Sequence, residues 1–406
     1  MPSLQNLLDD SPDSPIYNAD GVNISALEIG SVTADSRQAG AGTLFAAVPG
    51  LRVDGHSFIP NAIAAGASAI AGTYTPDELA ARGIFLPPGL PYLRCSDGRL
   101  ALAQLSAALH GHPSRAMTAL GVTGTDGKTT TCALLESIPS VVRAVSPNYE
   151  GVGVITTIGA RIQGQELETG FHVTTPEAPD VQGYLAQMRD AGCRFAIVES
   201  TSHGLDQKRV AALDYDVAAV TNITHEHLDY HGSFEAYREA KALLFRALFH
   251  SHPKPDIPRL AILNRDDPGS YDYLASVLAA ESAAPTTPPV TVRSYSLRNP
   301  AADAQAERID YRADATTFEL HWWGSPPIPI KTRLIGGFNV SNILCAASAA
   351  LGVGVPGPHW QRASLLCPVC WGGCSASKPA RTFWRWSILP TLPAAWNARS
   401  TPCVRW

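Results

Sequence analysis

Gly121-Val122-Thr123-Gly124-Thr125-Asp126-Gly127-Lys128-Thr129-Thr130-Thr131 is the stretch on which the reading of this chain turns. It follows an apolar run at 116–122, which predicts a strand, and it leads into a helix from about Lys128. Gly124 and Gly127 let backbone N–H groups turn inward toward an anion, and the helix start adds its partial positive charge. Lys128 is placed to reach the β and γ phosphates of ATP, and the Thr129 hydroxyl to ligate Mg²⁺. The segment therefore predicts a phosphate-binding loop made by Gly124, Thr125, Asp126, Gly127, Lys128, Thr129 and Thr130. An acid beside phosphates is repelled, so Asp126 is expected to point away or to cap the helix.

Working outward, short apolar runs alternate with helical stretches. Residues 42–48 (GTLFAAV) read as a strand, and 58–71 as a helix followed by a strand. FAIVE at 195–199, VAAVT at 217–221 and Leu260–Asn264 read as buried strands, and 343–352 as a helix of small residues. Alternation of this kind argues for an α/β fold with a mostly parallel sheet. His110, Gly111 and Pro113 suggest a linker, giving a small N-terminal α/β domain at 1–112 and a central one at 113–356. Residues 283–289 and 326–329 read as loops. Pro139 is expected to stop the phosphate-loop helix early.

At 406 residues, 45% apolar and 17% charged, the chain is long and apolar enough to bury a core in two or three domains. No apolar run approaches the roughly 20 residues that span a bilayer. The start, MPSLQNLLDDSPDSP, lacks the pattern of a secretion signal. A net charge of −5 gives no sign of a nucleic-acid partner. The scattered Cys95, Cys132, Cys193 and Cys345 suit a reducing compartment. The expectation is a cytoplasmic monomer with neither membrane nor nucleic-acid partner.

A phosphate loop alone names no reaction. Glu199 ends an apolar strand in E-S-T-S-H-G-L, the usual place for a working carboxylate in an open α/β sheet. His225, Glu226, His227, Asp229 and His231 crowd into T-H-E-H-L-D-Y-H-G, and Lys241 follows on a helix. A carboxylate and a neutral imidazole suit a divalent ion that neutralises a transferring phosphoryl group. A histidine-rich polar loop and a solvated helix lysine are the plainer readings of the same residues.

T-G-T-D-G-K-T-T, V-T-T-P-E, E-S-T-S-H-G-L, T-N-I-T-H-E-H-L-D-Y-H-G, L-N-R-D-D and G-G-F-N-V-S-N, in that order, resemble the Mur ligases, and most of all their tripeptide-synthetase (MurE) type. Residues 34–59 are similar to that family's UDP-binding domain, and the likeness spans about 30–356. It implies an ATP-dependent ligase: ATP phosphorylates the terminal carboxylate of UDP-MurNAc-L-Ala-D-Glu, and a free amino acid, a diamino acid in this type, attacks the acyl phosphate to give an amide and ADP. By this likeness Ser36 and the turn of Leu51, Arg52 and Val53 contact the uridine nucleotide. Thr174, Thr175, Thr201, Gln207 and Arg209 hold the dipeptide end. Thr129, Glu199 and His227 hold Mg²⁺, with Lys241 carbamylated to support a second ion, and Asn339 and Asn342 meet the adenine nucleotide. Lys128, His227 and Lys241 are the catalytic candidates.

Residues 357–406 break the pattern. They carry no Asp or Glu, six of the 31 Lys and Arg and six of the eight Trp, so 1–356 has net charge −11 and the remainder +6. They do not resemble the family's third domain. Shifted by one base, the codons from Ala363 can read L-A-A-L-P-G-V-L-G-R-M-Q-R-I, and those from Thr382 can read D-F-L-A-V-V-D-F-A-H-T-P. The expectation is a reading-frame shift near Pro356 and a disordered tail. A zinc site from Cys367, Cys370, Cys374 and Cys403 is the rival reading. With the amine-holding domain out of frame, the chain is expected to be inactive. The alternatives are a non-catalytic nucleotide- or UDP-sugar-binding remnant, or another Mur or folylpolyglutamate-type ligase.

Overall fold

The structure, a computed structural model, describes residues 1–9, 15–50, 53–145, 151–167, 175–283 and 287–355, with backbone alone at 138–145. Leu51, Arg52, Thr174 and the expectations for the tail, including the four-cysteine zinc site, lie outside the described residues.

Two sheets organise the chain. The smaller has five strands in the spatial order Ile16–Tyr17, Tyr92–Arg94, Ala69–Gly72, Thr43–Ala46, Ser31–Thr33. Only the first pairing is antiparallel. Every residue of Thr43–Ala46 and Ala69–Gly72 is buried, which is why these read as unbroken apolar runs. Helix Gly98–Leu109 packs on this sheet, its first turn capped by the Asp97 carboxylate, which accepts from the N–H groups of Arg99 and Leu100.

The larger sheet has eleven strands. Its centre, in spatial order, is Gly151–Thr156, Cys193–Glu199, Thr118–Thr123, Val217–Val220, Leu260–Asn264, Thr291–Ser296 and Ala304–Tyr311, all paired in parallel. Antiparallel strands flank both edges: Gly159–Ile162 and Gln165–Leu167 on one, Thr316–Trp322 and Ile328–Thr332 on the other. Alternate residues of the central strands feed two cores. Leu120, Val122, Val217 and Ala219 face helices Lys128–Val145 and Gly337–Gly352. Ala119, Ala218 and Val220 face helices Ala178–Asp190, Phe234–His250 and Pro268–Glu281. Helices on both faces of a mainly parallel sheet make the fold doubly wound α/β, as the alternation predicted.

At the N-terminal ends of these strands Lys254 and Asp216 form a buried ion pair, Nζ to Oδ2 2.6 Å. Lys254 also donates to the carbonyls of Met117 and Asp214, and Asp216 accepts from the N–H of Ala119. The clamp leaves the C-terminal ends of Thr118–Thr123, Cys193–Glu199 and Val217–Val220 side by side and open, the position where such sheets bind ligands.

Two local expectations are corrected. The helix from Lys128 runs to Val145, straight through Pro139. Proline removes one helical hydrogen bond at a cost of about 3 kcal/mol. Cys132, Ala133, Leu134 and Leu135 anchor this helix in the core, which outweighs the local break. The loop expected at 326–329 holds the start of strand Ile328–Thr332; Pro329 is tolerated there because the strand lies at the sheet edge.

Candidate active site

The glycine loop at 121–131 is held from behind. Asn222, just past strand Val217–Val220, grips the peptide of Asp126 twice: its Oδ1 accepts from the Asp126 N–H (3.1 Å) and its Nδ2 donates to the Asp126 carbonyl (3.1 Å). The Thr221 hydroxyl donates to the same carbonyl at 2.6 Å. The Thr125 N–H donates to the Asn222 carbonyl (2.7 Å), and its hydroxyl meets the buried Tyr237 hydroxyl at 3.0 Å. Asp126 itself is exposed, and its charge is felt by Lys241 and Tyr237. No side chain fits at the glycines. A Cβ on Gly124 would lie 1.9 Å from Thr221 Oγ1, and one on Gly127, where φ is +82°, would lie 2.3 Å from Asn342 Oδ1.

The charged groups converge in front of this loop. Glu199 is 2% exposed. Its Oε2 accepts from the Thr129 hydroxyl at 3.0 Å and from the Thr157 N–H at 3.3 Å. Burial pushes the Glu199 carboxyl above its ordinary value, against the pull of Lys128, these two donors and Lys241. Lys128 Nζ folds back on the Thr125 carbonyl at 2.7 Å. Lys241 is buried on helix Phe234–His250, its Nζ 2.7 Å from the Gly124 carbonyl and 4.5 Å from the centre of the Tyr237 ring. Burial drives its amine well below the ordinary lysine value, and the nearby Lys128 charge pushes the same way.

One cavity of about 550 Å³ gathers these groups. Gly124, Thr125, Lys128, Thr129, Glu199 and Lys241 line it together with Thr201, Gln207, Arg209 and His227. Arg209 is fixed within it, donating to the Thr175 carbonyl and to Gln207 Oε1 (2.7 Å) and pairing with Glu177 (3.0 Å). The Thr175 and Thr201 hydroxyls meet at 2.9 Å. His227 sits at φ +54°, its ring against those of His203 and Tyr237. Asn339 turns back to the Ile335 carbonyl, while Asn342 abuts Gly127 and so touches the loop.

Ser36 lies apart. It lines a second cavity, of about 750 Å³, with Thr33, Arg37, Phe58 and Asn61 from the part of the chain around the smaller sheet and Glu177 and Asp180 from the part around the larger one. Val53 is exposed on its turn and is absent from that lining. The Glu177–Arg209 pair joins the walls of the two cavities. Asn222, Thr221, Thr157, Tyr237 and His203 were not singled out from sequence. Three of the five, Thr221, Asn222 and His203, stand within the quoted motifs, but nothing local reveals which distant atom each one meets.

The residues fit a nucleotide triphosphate with a hard cation. The glycines admit no Cβ, the helix start just beyond them offers N–H groups with no partner inside the helix, and the Lys128 and Lys241 side chains stand beside it. A hydroxyl and a buried carboxylate in contact suit Mg²⁺, which takes few protein ligands and completes its shell with phosphate oxygens and water. Among the described residues no three His, Cys, Asp or Glu side chains cluster as a self-sufficient metal site.

Comparison with known proteins agrees with this geometry. The Mur ligase middle domain matches residues 122–350, more than half of the chain, and the Mur ligase family catalytic domain matches 28–109. The UDP-N-acetylmuramyl-tripeptide synthetase of Roseiflexus sp. (strain RS-1) is 38% identical over 336 residues, 81% of this chain and 61% of that protein. The UDP-N-acetylmuramoyl-L-alanyl-D-glutamate–2,6-diaminopimelate ligase of Geobacillus kaustophilus is 37% identical over 354 residues, 86% of this chain and 64% of that protein. The chain thus spans a little over three-fifths of the length of these relatives. A solved UDP-N-acetylmuramoyl-L-alanyl-D-glutamate–2,6-diaminopimelate ligase superposes with a TM-score of 0.72 at 25% identity, covering 89% of this chain and 66% of that one. A MurF structure from Acinetobacter baumannii shares the fold, with a TM-score of 0.59 at 20% identity.

Proposed function

This chain belongs to the Mur ligase family, and on that premise we propose that its two domains bind UDP-MurNAc-L-Ala-D-Glu and ATP for addition of a third residue, a diamino acid, in peptidoglycan precursor synthesis. The observation that carries this reading is the single cavity in which Lys128, Thr129, Glu199 and Lys241 face Thr201, Gln207 and Arg209. Phosphate-binding and carboxylate-binding groups there address one space. The division at about residue 112, between the two sheets, belongs to the same proposal.

In this reading a carboxylate oxygen of the dipeptide attacks the γ-phosphorus and ADP leaves. The amine nitrogen of the incoming amino acid then attacks the acyl carbon, phosphate departs and the amine loses a proton. Lys128 and the loop N–H groups hold the phosphates where charge develops. Arg209 offers a fork for a carboxylate, with Gln207, Thr175 and Thr201 beside it. Thr129, Glu199 and His227 would hold Mg²⁺, with a carbamylated Lys241 supporting a second ion, supplying charge neutralisation at the phosphoryl group. A deprotonated Lys241 amine can take up CO₂, its nitrogen bonding the carbon as a proton leaves. Asn339 and Asn342 would meet the adenine nucleotide, and Ser36 with the turn at 51–53 the uridine end.

Titration calorimetry of the 406-residue protein with MgATP and with UDP-MurNAc-L-Ala-D-Glu tests the proposal. Binding of both ligands supports it; failure to bind either one overturns it.

A further inference from the structure

Helix Ser202–Asp206 ends in a left-handed cap. The Lys208 N–H bonds the Leu205 carbonyl (3.0 Å) and the Arg209 N–H bonds the Gly204 carbonyl (2.9 Å), with Lys208 at φ +58°. Glycine is the usual residue in that position, because a Cβ crowds the backbone there. A lysine is a costly choice, and a strained position held by an unfavoured residue points to a task for its side chain.

The side chain makes one reach. Lys208 Nζ lies 2.6 Å from Asp97 Oδ2, 111 residues earlier and on the small domain. The other oxygen of Asp97 caps helix Gly98–Leu109 through the N–H groups of Arg99 (2.9 Å) and Leu100 (3.0 Å). One carboxylate therefore ties the start of that helix to the turn between Gln207 and Arg209. The helix places Leu102 in the wall of the 750 Å³ cavity, while Gln207 and Arg209 line the 550 Å³ cavity. The same domain seam is closed by Ala178 and Ala212, which pack into the small domain's core, and by Arg189, which donates to the His110 carbonyl. A half-exposed ion pair of this kind adds little stability of its own. Its position in the chain gives it a different consequence.

We propose that Lys208 is a positioning residue: its latch to Asp97 fixes the register between the cavity of the small domain and the Gln207–Arg209 turn, so that one extended substrate spans both. The inference rests on the proposed UDP-MurNAc-dipeptide substrate.

The test uses the full chain carrying Lys208→Gly, Lys208→Ala or Lys208→Arg. Glycine relieves the backbone and removes the latch. Lys208→Gly is expected to keep or raise Tm and to speed amide hydrogen exchange at both 98–102 and 205–210. It is also expected to weaken binding of UDP-MurNAc-L-Ala-D-Glu at least fivefold while leaving ATP affinity within twofold. Lys208→Arg should restore binding of the UDP substrate, and Lys208→Ala should lose both Tm and affinity for it. A purely structural role would instead lower Tm and affect both ligands together. Unchanged exchange in Lys208→Gly, or wild-type affinity for the UDP substrate, overturns the latch. If the wild-type chain fails to bind the UDP substrate at all, the functional reading fails, and the exchange comparison still decides the latch.

Discussion

Lys241 donates from Nζ to the Gly124 carbonyl at 2.7 Å with its side chain 1% exposed. An ammonium in that position is costly to keep charged, and burial holds the amine well below the ordinary lysine value. Burial thus favours the free amine, the form that reacts with CO₂, over the ammonium. Protein equilibrated with ¹³C-bicarbonate is expected to show a carbamate carbonyl resonance. The signal should fade as pH falls, because protonation withdraws the nucleophile, and it should be absent from Lys241→Ala. A signal unaffected by Lys241→Ala would assign the carbamate elsewhere.

Lys128 bonds the Thr125 carbonyl, a contact it can exchange for phosphate oxygens. Hydrogen bonds to charged groups contribute about 1.5–3 kcal/mol. Lys128→Ala is therefore expected to weaken ATP binding by about tenfold to a hundredfold, measured by calorimetry, with Tm little changed.

Gly127 is the sharper probe of loop shape. It combines φ +82° with a Cβ position 2.3 Å from Asn342 Oδ1. Gly127→Ala is expected to abolish measurable ATP binding and to cost about 1–3 kcal/mol of stability in urea unfolding. Wild-type ATP affinity in this variant would show that the loop binds no phosphate in the observed form.

The Lys254–Asp216 pair tests the clamp at the opposite strand ends. Burial pushes the Asp216 carboxyl up and the Lys254 amine down, each opposed by its partner's charge. Removing one partner strands a buried charge. Lys254→Met is expected to destabilise the protein by about 3–5 kcal/mol, read from urea denaturation. Lys254→Met with Asp216→Leu should lose less than the sum of the two single changes.

Asp97 gives a pH dependence with a definite sign. Burial raises its carboxyl, but the hydrogen bonds from Lys208 and from the N–H groups of Leu100 and Arg99 prevail, and the net shift is downward. A depressed carboxylate adds stability above its unfolded value, near 4, and loses it as pH falls through the folded value. The Tm gap between wild type and Asp97→Asn is expected to be full at pH 6–7 and to close below about pH 4. A gap constant from pH 7 to pH 3 would remove the charge from the account.

Much of this was legible because its causes are local. Spaced glycines mark a strand-to-helix turn within a few residues, and unbroken apolar runs mark strands buried on both faces, as at Thr118–Thr123 and Cys193–Glu199. Thr291–Ser296 and the three strands after it went unread because they are partly exposed, and their runs lack that uniformity. The passage of the helix through Pro139 could not be foreseen either, since propensity is local and the compensating core contacts are not.

The 121–131 stretch by itself determined that the chain turns from strand to helix through a glycine loop, because glycine freedom and a helix start are properties of adjacent residues. Only the tertiary structure decided what stands around that turn. Asn222 grips Asp126 across 96 residues, Lys241 reaches Gly124 across 117, and Lys208 reaches Asp97 across 111. Each contact depends on where the sheet carries its strand ends. Sequence spacing carries no record of that, because the chain between two such residues can take any path that closes the core.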